Sequence, residues 1–465
     1  MIRSALATLG TLDAGARRAL VGATLASSVD TWDVYLPAVV LPVALGYFEP
    51  PHLPGPARAT LVYVVLVVSI LAQPVGGTIF GALNDTFGRR RTTLIAMVGF
   101  TVVTLCIVCL PGYATWGVAA LVLLVLFRLI GGVFLGGAKS GLAPLVMEKC
   151  PREARGIVSG VMFGGSPAAF VVFTSVQAAL LGLTGHEQYT QWGWRVPFVL
   201  GVIYGMVAIL YYSRMVEESE LWRRDPEVRA GRAVALRGLR RGSNLRAVLQ
   251  VFLVMSGLTF SLQVVINVMP SLLITILNRP SVGVTVSLVL GNLGILGGGI
   301  TAGFLSQRWG RRRILMAAGV WTGILVTLLY AVMVRTAQAG VGMVVTGVCV
   351  VLCLILTMGP WGIVNAYVSE RFPTGVRGSG YGIGYLAAGI VPALYSFYLL
   401  GLSAVMPYEY TELVLLVVGG LLLFVGATLG PDTRDVDMGQ RFTEQPEVRS
   451  SVPEEGAAAP GTLQP

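Results

Sequence analysis

The sequence predicts an all-α membrane protein of twelve transmembrane helices, built as two pseudo-symmetric halves of six. Three observations carry that prediction. The 465-residue chain is 55% hydrophobic and only 12% charged, whereas soluble domains carry about 25% charged residues. Apolar stretches of about 20 residues, enough to cross a ~30 Å hydrocarbon core, recur along the whole chain. A glycine and arginine block returns at a fixed offset of 222 residues. So little charge excludes an ordinary soluble enzyme and a disordered protein alike.

Taken in order, the first six spans are 19–46, 59–83, 92–111, 117–147, 156–183 and 194–213. The second six are 247–277, 282–306, 314–334, 338–368, 378–403 and 410–430. Several are longer than a bilayer needs and are expected to tilt or bend, which their Gly and Pro content permits. Residues 1–18 carry Arg3, Arg17 and Arg18 with no signal-peptide core, so they read as a cytoplasmic N-terminal segment. Residues 19–214 form the first bundle, 215–246 a basic cytoplasmic linker and 247–430 the second bundle. Residues 431–465, rich in Pro, Glu and Gly, read as a disordered cytoplasmic tail.

The net charge of +10 suggests nucleic acid until the cations are placed. With a cytoplasmic N-terminus, 27 of the 33 Lys and Arg fall on the cytoplasmic side, including nine arginines between Arg214 and Arg246. Only Arg58, Arg195, Arg279 and Arg335 fall outside, and Arg128 and Lys139 lie within a span. That is the positive-inside bias. The expected location is the inner (cytoplasmic) membrane, multi-pass, with both termini in the cytoplasm and the lipid bilayer rather than nucleic acid as partner.

The repeat defines the halves. GALNDTFGRRR starts at Gly81 and GFLSQRWGRRR at Gly303; Glu148, Pro151, Arg155 and Gly156 return as Glu370, Pro373, Arg377 and Gly378. Duplicated bundles bind their solute between the halves near the bilayer midplane. The five Cys form no disulfide framework and read as small packing residues, and His52 and His186 fall in polar connections. Glycine runs such as GGTIFG, GGVFLGG and GNLGILGGG lie inside spans and read as helix-packing surfaces. No nucleotide-binding loop of the G-x-x-x-x-G-K-S/T type occurs, so neither ATP nor any other cofactor or metal is expected.

Four ionisable residues lie within the spans away from their ends: Asp30, Asp33, Arg128 and Lys139. Groups of this kind are expensive to bury and face a cavity or each other. Asp30 and Asp33 share one helix face, and carboxylates that close oppose each other's ionisation, which suits proton exchange. A permanent ion pair locking two helices is the alternative. Lys139 follows Arg128 by eleven residues and so points within about 20° of the same direction. Facing the cavity, Lys139 favours a carboxylate-bearing solute; the alternative is that it snorkels to the cytoplasmic surface.

GALNDTFGRRR resembles the loop motif between helices 2 and 3 of major facilitator superfamily transporters, and the repeated E-x-x-P-x-x-x-R-G belongs to the same superfamily. DTWDVY (30–35), WGWRVPFVLG (192–201) with EES (217–219), and FPTGVRGSGYGIGY (372–385) look most like its metabolite:proton symporter branch. The resemblance implies the major facilitator fold, with helices 1, 4, 7 and 10 lining a cavity, and with Asp33 and Arg128 as the proton-linked pair, ahead of Asp30. Relatives read R-x-x-Q-G-x-x-x-G-G-E in helix 4; here Gly131 replaces the Gln, Ala138 replaces the Glu, and Lys139 follows.

Further candidates for the substrate site, beside Arg128 and Lys139, are Gln263 and Asn267 at i, i+4 in helix 7 and Asn292 in helix 8. Trp361 and Asn365 in helix 10 and Tyr385 beside Tyr381 in helix 11 complete them. Gating residues are expected at the cytoplasmic side: Asp85, Arg89, Glu148, Arg155, Glu370 and Arg377. Asp85 is expected to face Arg155, with Gln307 as its uncharged counterpart in the second half.

The expected function is a secondary active transporter that moves a small metabolite, best guess an organic acid, with protons by alternating access, as a monomer. The alternative is a proton-coupled antiporter exporting a metabolite or drug. GVMFGGSPAAF (160–170) lacks the Pro and the last two Gly of the helix 5 run frequent in exporters, which favours import. An enzyme is not expected, because the spans hold no nucleophile, metal or redox constellation.

Overall fold

The computed structural model describes residues 7–50, 55–224, 239 and 242–438; at 33–39, 41–43, 45, 55–60, 62, 186 and 224 it describes the backbone alone. Twelve long helical stretches follow one another. In the first half these are α1 (Ala14–Ala44), α2 (Gly55–Phe87), α3 (Arg89–Val108), α4 (Val118–Lys149), α5 (Arg155–Gln188) and α6 (Arg195–Met215). The second half has α7 (Gly242–Ile276), α8 (Ser281–Trp309), α9 (Arg311–Gln338), α10 (Met343–Glu370) and α11 (Thr374–Leu402), with α12 (Thr411–Thr428) last. All but α1 are long and apolar enough, on the described residues alone, to cross a membrane. The 31 residues of α1 reach ~46 Å at the helical rise, so it spans as well.

The two halves repeat one another in three dimensions. α2 packs on α4, α1 on α5 and α3 on α6; shifted by six helices, α8 packs on α10, α7 on α11 and α9 on α12. Several helices are broken. α7 changes to π-helical winding over Gln263–Val268 and Leu272–Ile276, where backbone N–H groups bond five residues back instead of four. Pro74, Pro144 and Pro167 lie inside α2, α4 and α5.

The halves meet along α2 against α11 and α5 against α8, backbone to backbone. A Cβ on Gly382 would sit 2.1 Å from the carbonyl oxygen of Gly77, and one on Gly303 2.3 Å from that of Gly156. No side chain fits there, and the approach is possible only because glycine occupies both sides. These seams lie toward the end of the bundle that carries Arg89, Arg155, Arg311 and Arg377, hereafter the arginine end. At the opposite end Arg195 ties three elements together. Its guanidinium donates to the Tyr47 hydroxyl (2.7 Å) and to the carbonyls of Val108 and Leu110 (3.0 and 3.1 Å), lying over the Tyr47 and Trp194 rings.

One boundary needs correction. The chain was expected to leave the body at residue 431 as a disordered tail, yet residues 432–438 are held against the arginine end. The Val436 carbonyl accepts from Arg155 (2.8 Å) and the Met438 carbonyl from Thr374 (3.0 Å), and Met438 is buried. Buried guanidinium and hydroxyl donors require acceptors, and this strand of carbonyls supplies them. The rest of the tail, residues 439–465, and linker residues 225–238 lie outside the described residues.

Candidate functional site

Between the halves lies a cavity of about 270 Å³, just below the ~300 Å³ where sites for drug-sized ligands begin. Helices α1, α2, α4, α5, α7, α8, α10 and α11 all contribute to its wall. The first half supplies the charges, Asp30 from α1 and Lys139 from α4. Lys139 Nζ lies 3.1 Å from Asp30 Oδ2 and donates to Gln73 Oε1 at 3.2 Å. The Asp30 and Lys139 side chains are 14% and 22% exposed, so the pair is sheltered but reachable from the cavity.

The second half supplies amides and rings. Asn267 donates to Gln263 Oε1 (2.6 Å) across the π-helical turn of α7. The Tyr381 hydroxyl donates to Asn365 Oδ1 at 2.9 Å, and its ring stacks on Tyr385 at 5.1 Å. Trp361 meets the Tyr385 ring edge-on at 6.3 Å, and its indole N–H is buried with no acceptor. Asn292 is buried in the same wall and donates back to the Leu288 carbonyl. Near the opposite end the Tyr63 hydroxyl donates to the Ala393 carbonyl (2.9 Å), which brings α2 and α11 together above the cavity.

The residues expected at the substrate site therefore meet in one place, with one exception. Lys139, Gln263, Asn267, Asn292, Trp361, Asn365 and Tyr385 all line the cavity. Arg128 is buried and is not among the described residues of the lining; it sits ~16 Å along α4 from Lys139. The choice left open for Lys139 falls to the cavity-facing arrangement. Asp33 was expected to lead the proton-linked pair, but its side chain lies outside the described residues.

At the arginine end the expected pairing of Asp85 with Arg155 is corrected. The Asp85 carboxylate instead accepts from the backbone N–H groups of Gly378 and Ser379, both at 2.9 Å, and from Ser379 Oγ at 2.7 Å. The cause is the glycine seam: α2 ends against the first turn of α11, where free N–H groups and the helix dipole attract a carboxylate. Arg155 donates elsewhere, to the Met147 and Val436 carbonyls. In the second half Gln307 Oε1 accepts from Gly156 N–H at the start of α5 (3.3 Å) and from Arg311 (2.9 Å). The counterpart of Asp85 thus makes only an uncharged contact to the other half.

Two carboxylates organise the surrounding arginines. Glu148 pairs with Arg89 of its own half and with Arg377 of the other. Glu370 holds Arg311 in a two-pronged pair, both contacts 2.9 Å. A role that the sequence did not reveal braces each pair: an acid followed by a hydroxyl, Glu218–Ser219 after α6 and Asp432–Thr433 after α12. Glu218 accepts from the backbone N–H groups of Arg89 and Arg90, and Ser219 donates to Glu148. Asp432 accepts from Arg311 N–H (3.0 Å), and Thr433 donates to Glu370 (2.7 Å). Gly88 and Gly310, at φ 100° and 97°, make the turns that aim these N–H groups at the acids, a backbone region that side chains disfavour.

A family model described as Major Facilitator Superfamily matches residues 23–396. The chain is 25% identical over 420 residues to a proline/betaine transporter of Salmonella typhimurium, covering 88% of this chain and 82% of the relative. It is 28% identical to an inner membrane metabolite transport protein of Escherichia coli K12, covering 81% and 85%. A shikimate transporter of the same strain is 26% identical, again with 81% and 85% covered. Among solved structures, the proton:xylose symporter XylE bound to 6-bromo-6-deoxy-D-glucose superposes with a TM-score of 0.75 at 18% identity, over 89% of this chain and 94% of that one. The twelve-helix duplicated bundle, its central cavity and these matches lead to one conclusion: the chain is a multi-pass membrane transporter that belongs to the Major Facilitator Superfamily.

Proposed function

We propose that this protein is a proton-coupled secondary transporter that carries a small, carboxylate-bearing metabolite, an organic acid, by alternating access and as a monomer. The observation that carries the reading is Lys139: an ammonium in the cavity wall, 3.1 Å from Asp30. An ammonium there attracts a carboxylate, and the carboxyls of α1, Asp30 or Asp33, are suited to bind and release a proton. Gln263, Asn267, Asn292, Trp361, Asn365 and Tyr385 orient the rest of the solute. Relatives named for proline and betaine, for shikimate and for proton-coupled xylose uptake support a small solute and proton coupling.

The two bundles, 19–214 and 247–430, rock about the cavity as the moving units. The cation bias supports a cytoplasmic arginine end, with both termini on that side of the inner membrane. In the arrangement described here that end is closed by the glycine seams and the Asp85 contact. The test is uptake by proteoliposomes under an inward proton gradient, with radiolabelled shikimate, proline, glycine betaine and xylose. A carboxylate-bearing solute is taken up, a protonophore abolishes uptake, and Lys139→Ala weakens it. Uptake indifferent to the protonophore refutes coupling, and uptake of xylose alone refutes the carboxylate requirement.

A further inference from the structure

α11 does not cross the bundle as one continuous helix. It is regular to Leu386, tightens to 3-10 winding over Ala387–Gly389, resumes for Ile390–Ala393 and starts afresh as Tyr395–Leu402. Pro392 has no N–H to give to the carbonyl four residues back, that of Ala388. Further on, the Phe397 N–H bonds Leu394 (3.0 Å) where a continuous helix would have it bond Ala393. Carbonyls released at membrane depth need other donors, and side chains supply them. Ser256 of α7 donates to Ala388 (3.3 Å), Gln263 of α7 to Pro392 (3.5 Å) and Tyr63 of α2 to Ala393 (2.9 Å).

These donors divide the break. Ser256 and Gln263 belong to the same half as α11 and fix the near side of the break to α7. Tyr63 belongs to the other half and takes the last carbonyl before the outer piece. Resting on alternating access, we propose that the outer piece of α11, Tyr395–Leu402, is a gate hinged at this break, and that Tyr63 is the catch that holds it shut.

The catch grips the gate at its first turn: the Tyr63 ring meets Tyr395 at 6.3 Å and Phe397 at 6.0 Å, both edge-on. Tyr63, Tyr395 and Gly389 also line the cavity, so the catch roofs the solute site and its release uncovers it. Bending at the break costs little, because the regular bonds of the ladder are already missing there and hydroxyl and amide side chains can follow the carbonyls they serve. The inner piece stays where it is. Gly382 lies backbone to backbone against Gly77 of α2, and a hinge beyond that seam lets the outer end open while the arginine end remains meshed. Two closures of different kinds result, a rigid one of glycines and a soft one of a single neutral hydrogen bond and two ring contacts.

The test is pulsed electron paramagnetic resonance on proteoliposomes of the full chain without its native cysteines. Labels at Leu183→Cys in α5 and Leu400→Cys in α11 span the gate; Leu183→Cys with Val344→Cys, at the start of α10, spans the same halves without it. All three positions are exposed. Tyr63→Phe removes the hydroxyl and keeps the rings in contact. Loss of one neutral hydrogen bond is expected to raise the ratio of a longer Leu183–Leu400 distance to the closed one by about two- to tenfold, with Leu183–Val344 unchanged. An unaltered Leu183–Leu400 distribution overturns the gate. Equal lengthening to Val344 means that the second half moves as one rigid body, and overturns the hinge. Labels at Arg91→Cys and Arg313→Cys report the arginine end, which is expected to stay closed in Tyr63→Phe. Opening at both ends together overturns alternating access and leaves the hinge standing.

Discussion

Asp85→Asn isolates the electrostatic part of the closure at the arginine end. The carboxylate gathers three donors from the first turn of α11, at 2.9, 2.9 and 2.7 Å, in a place that is 1% exposed. Asparagine keeps the shape but offers one neutral oxygen and turns an N–H₂ toward the donors. A hydrogen bond to a charged group is worth ~1.5–3 kcal/mol against ~0.5–1.5 for a neutral one, and the lost attraction to the helix N-terminus adds ~0.3–1. The closed end is therefore weakened by ~2–4 kcal/mol, a ~30- to ~1000-fold shift in the open-to-closed ratio. Spin labels at Arg91→Cys and Arg313→Cys, exposed and pseudo-equivalent positions in opposite halves, read this directly by pulsed electron paramagnetic resonance in a chain without its native cysteines. A second, longer distance appears in Asp85→Asn. Gln307→Ala removes one neutral hydrogen bond between the halves, the one from Gly156 N–H, since its bond from Arg311 lies within the second half; it shifts the ratio by about tenfold or less. An unchanged distribution in Asp85→Asn, or an equal opening by Gln307→Ala, refutes the reasoning.

Two other features are open to direct measurement. Gly88→Ala forces a side chain into φ 100° and places its Cβ 2.5 Å from Glu218 Oε2. The backbone penalty is ~1–2 kcal/mol and the disturbed cap adds about 1, so the Tm of the purified protein falls by several degrees; an unchanged Tm contradicts the assignment. Cys150, between α4 and α5, is buried, and burial pushes its thiol up to about 12. Since the thiolate is the reactive form, a maleimide should leave Cys150 unmodified in the folded chain from neutral pH to about 9 and label it after denaturation. Mass mapping that finds rapid native labelling overturns this.

The spans and the duplication were legible because both are written locally, in runs of apolar residues and in motifs at one offset. Arg89 and Arg311, Glu148 and Glu370, and Arg155 and Arg377 stand 222 residues apart and occupy matching places. Glu218–Ser219 and Asp432–Thr433 do the same work on both halves but stand 214 residues apart, so a fixed offset passes over them. An acid–hydroxyl pair shortly after the sixth and twelfth spans was the signal to look for. The partner of Asp85 was not legible, because it depends on which helices cross between the halves. The glycines at 77, 81, 378 and 382 held the only hint. Lys139 had two equally good outlets along its own helix, and a carboxylate on a different helix decided between them. Gln263 and Asn267 do meet, as their spacing implied, although the backbone between them winds as a π-helix.

The glycine seams divide the sequence into regions with very different freedom to change. A substitution in the cavity wall alters the fit of a solute and leaves the meshing of the two halves alone. Where Gly382 faces Gly77 and Gly303 faces Gly156, even one methyl group stands between two backbones and keeps that end apart. Selectivity can therefore diverge by small steps in the middle of the bilayer, while the capacity to shut is inherited nearly all-or-none, at positions that touch no solute at all.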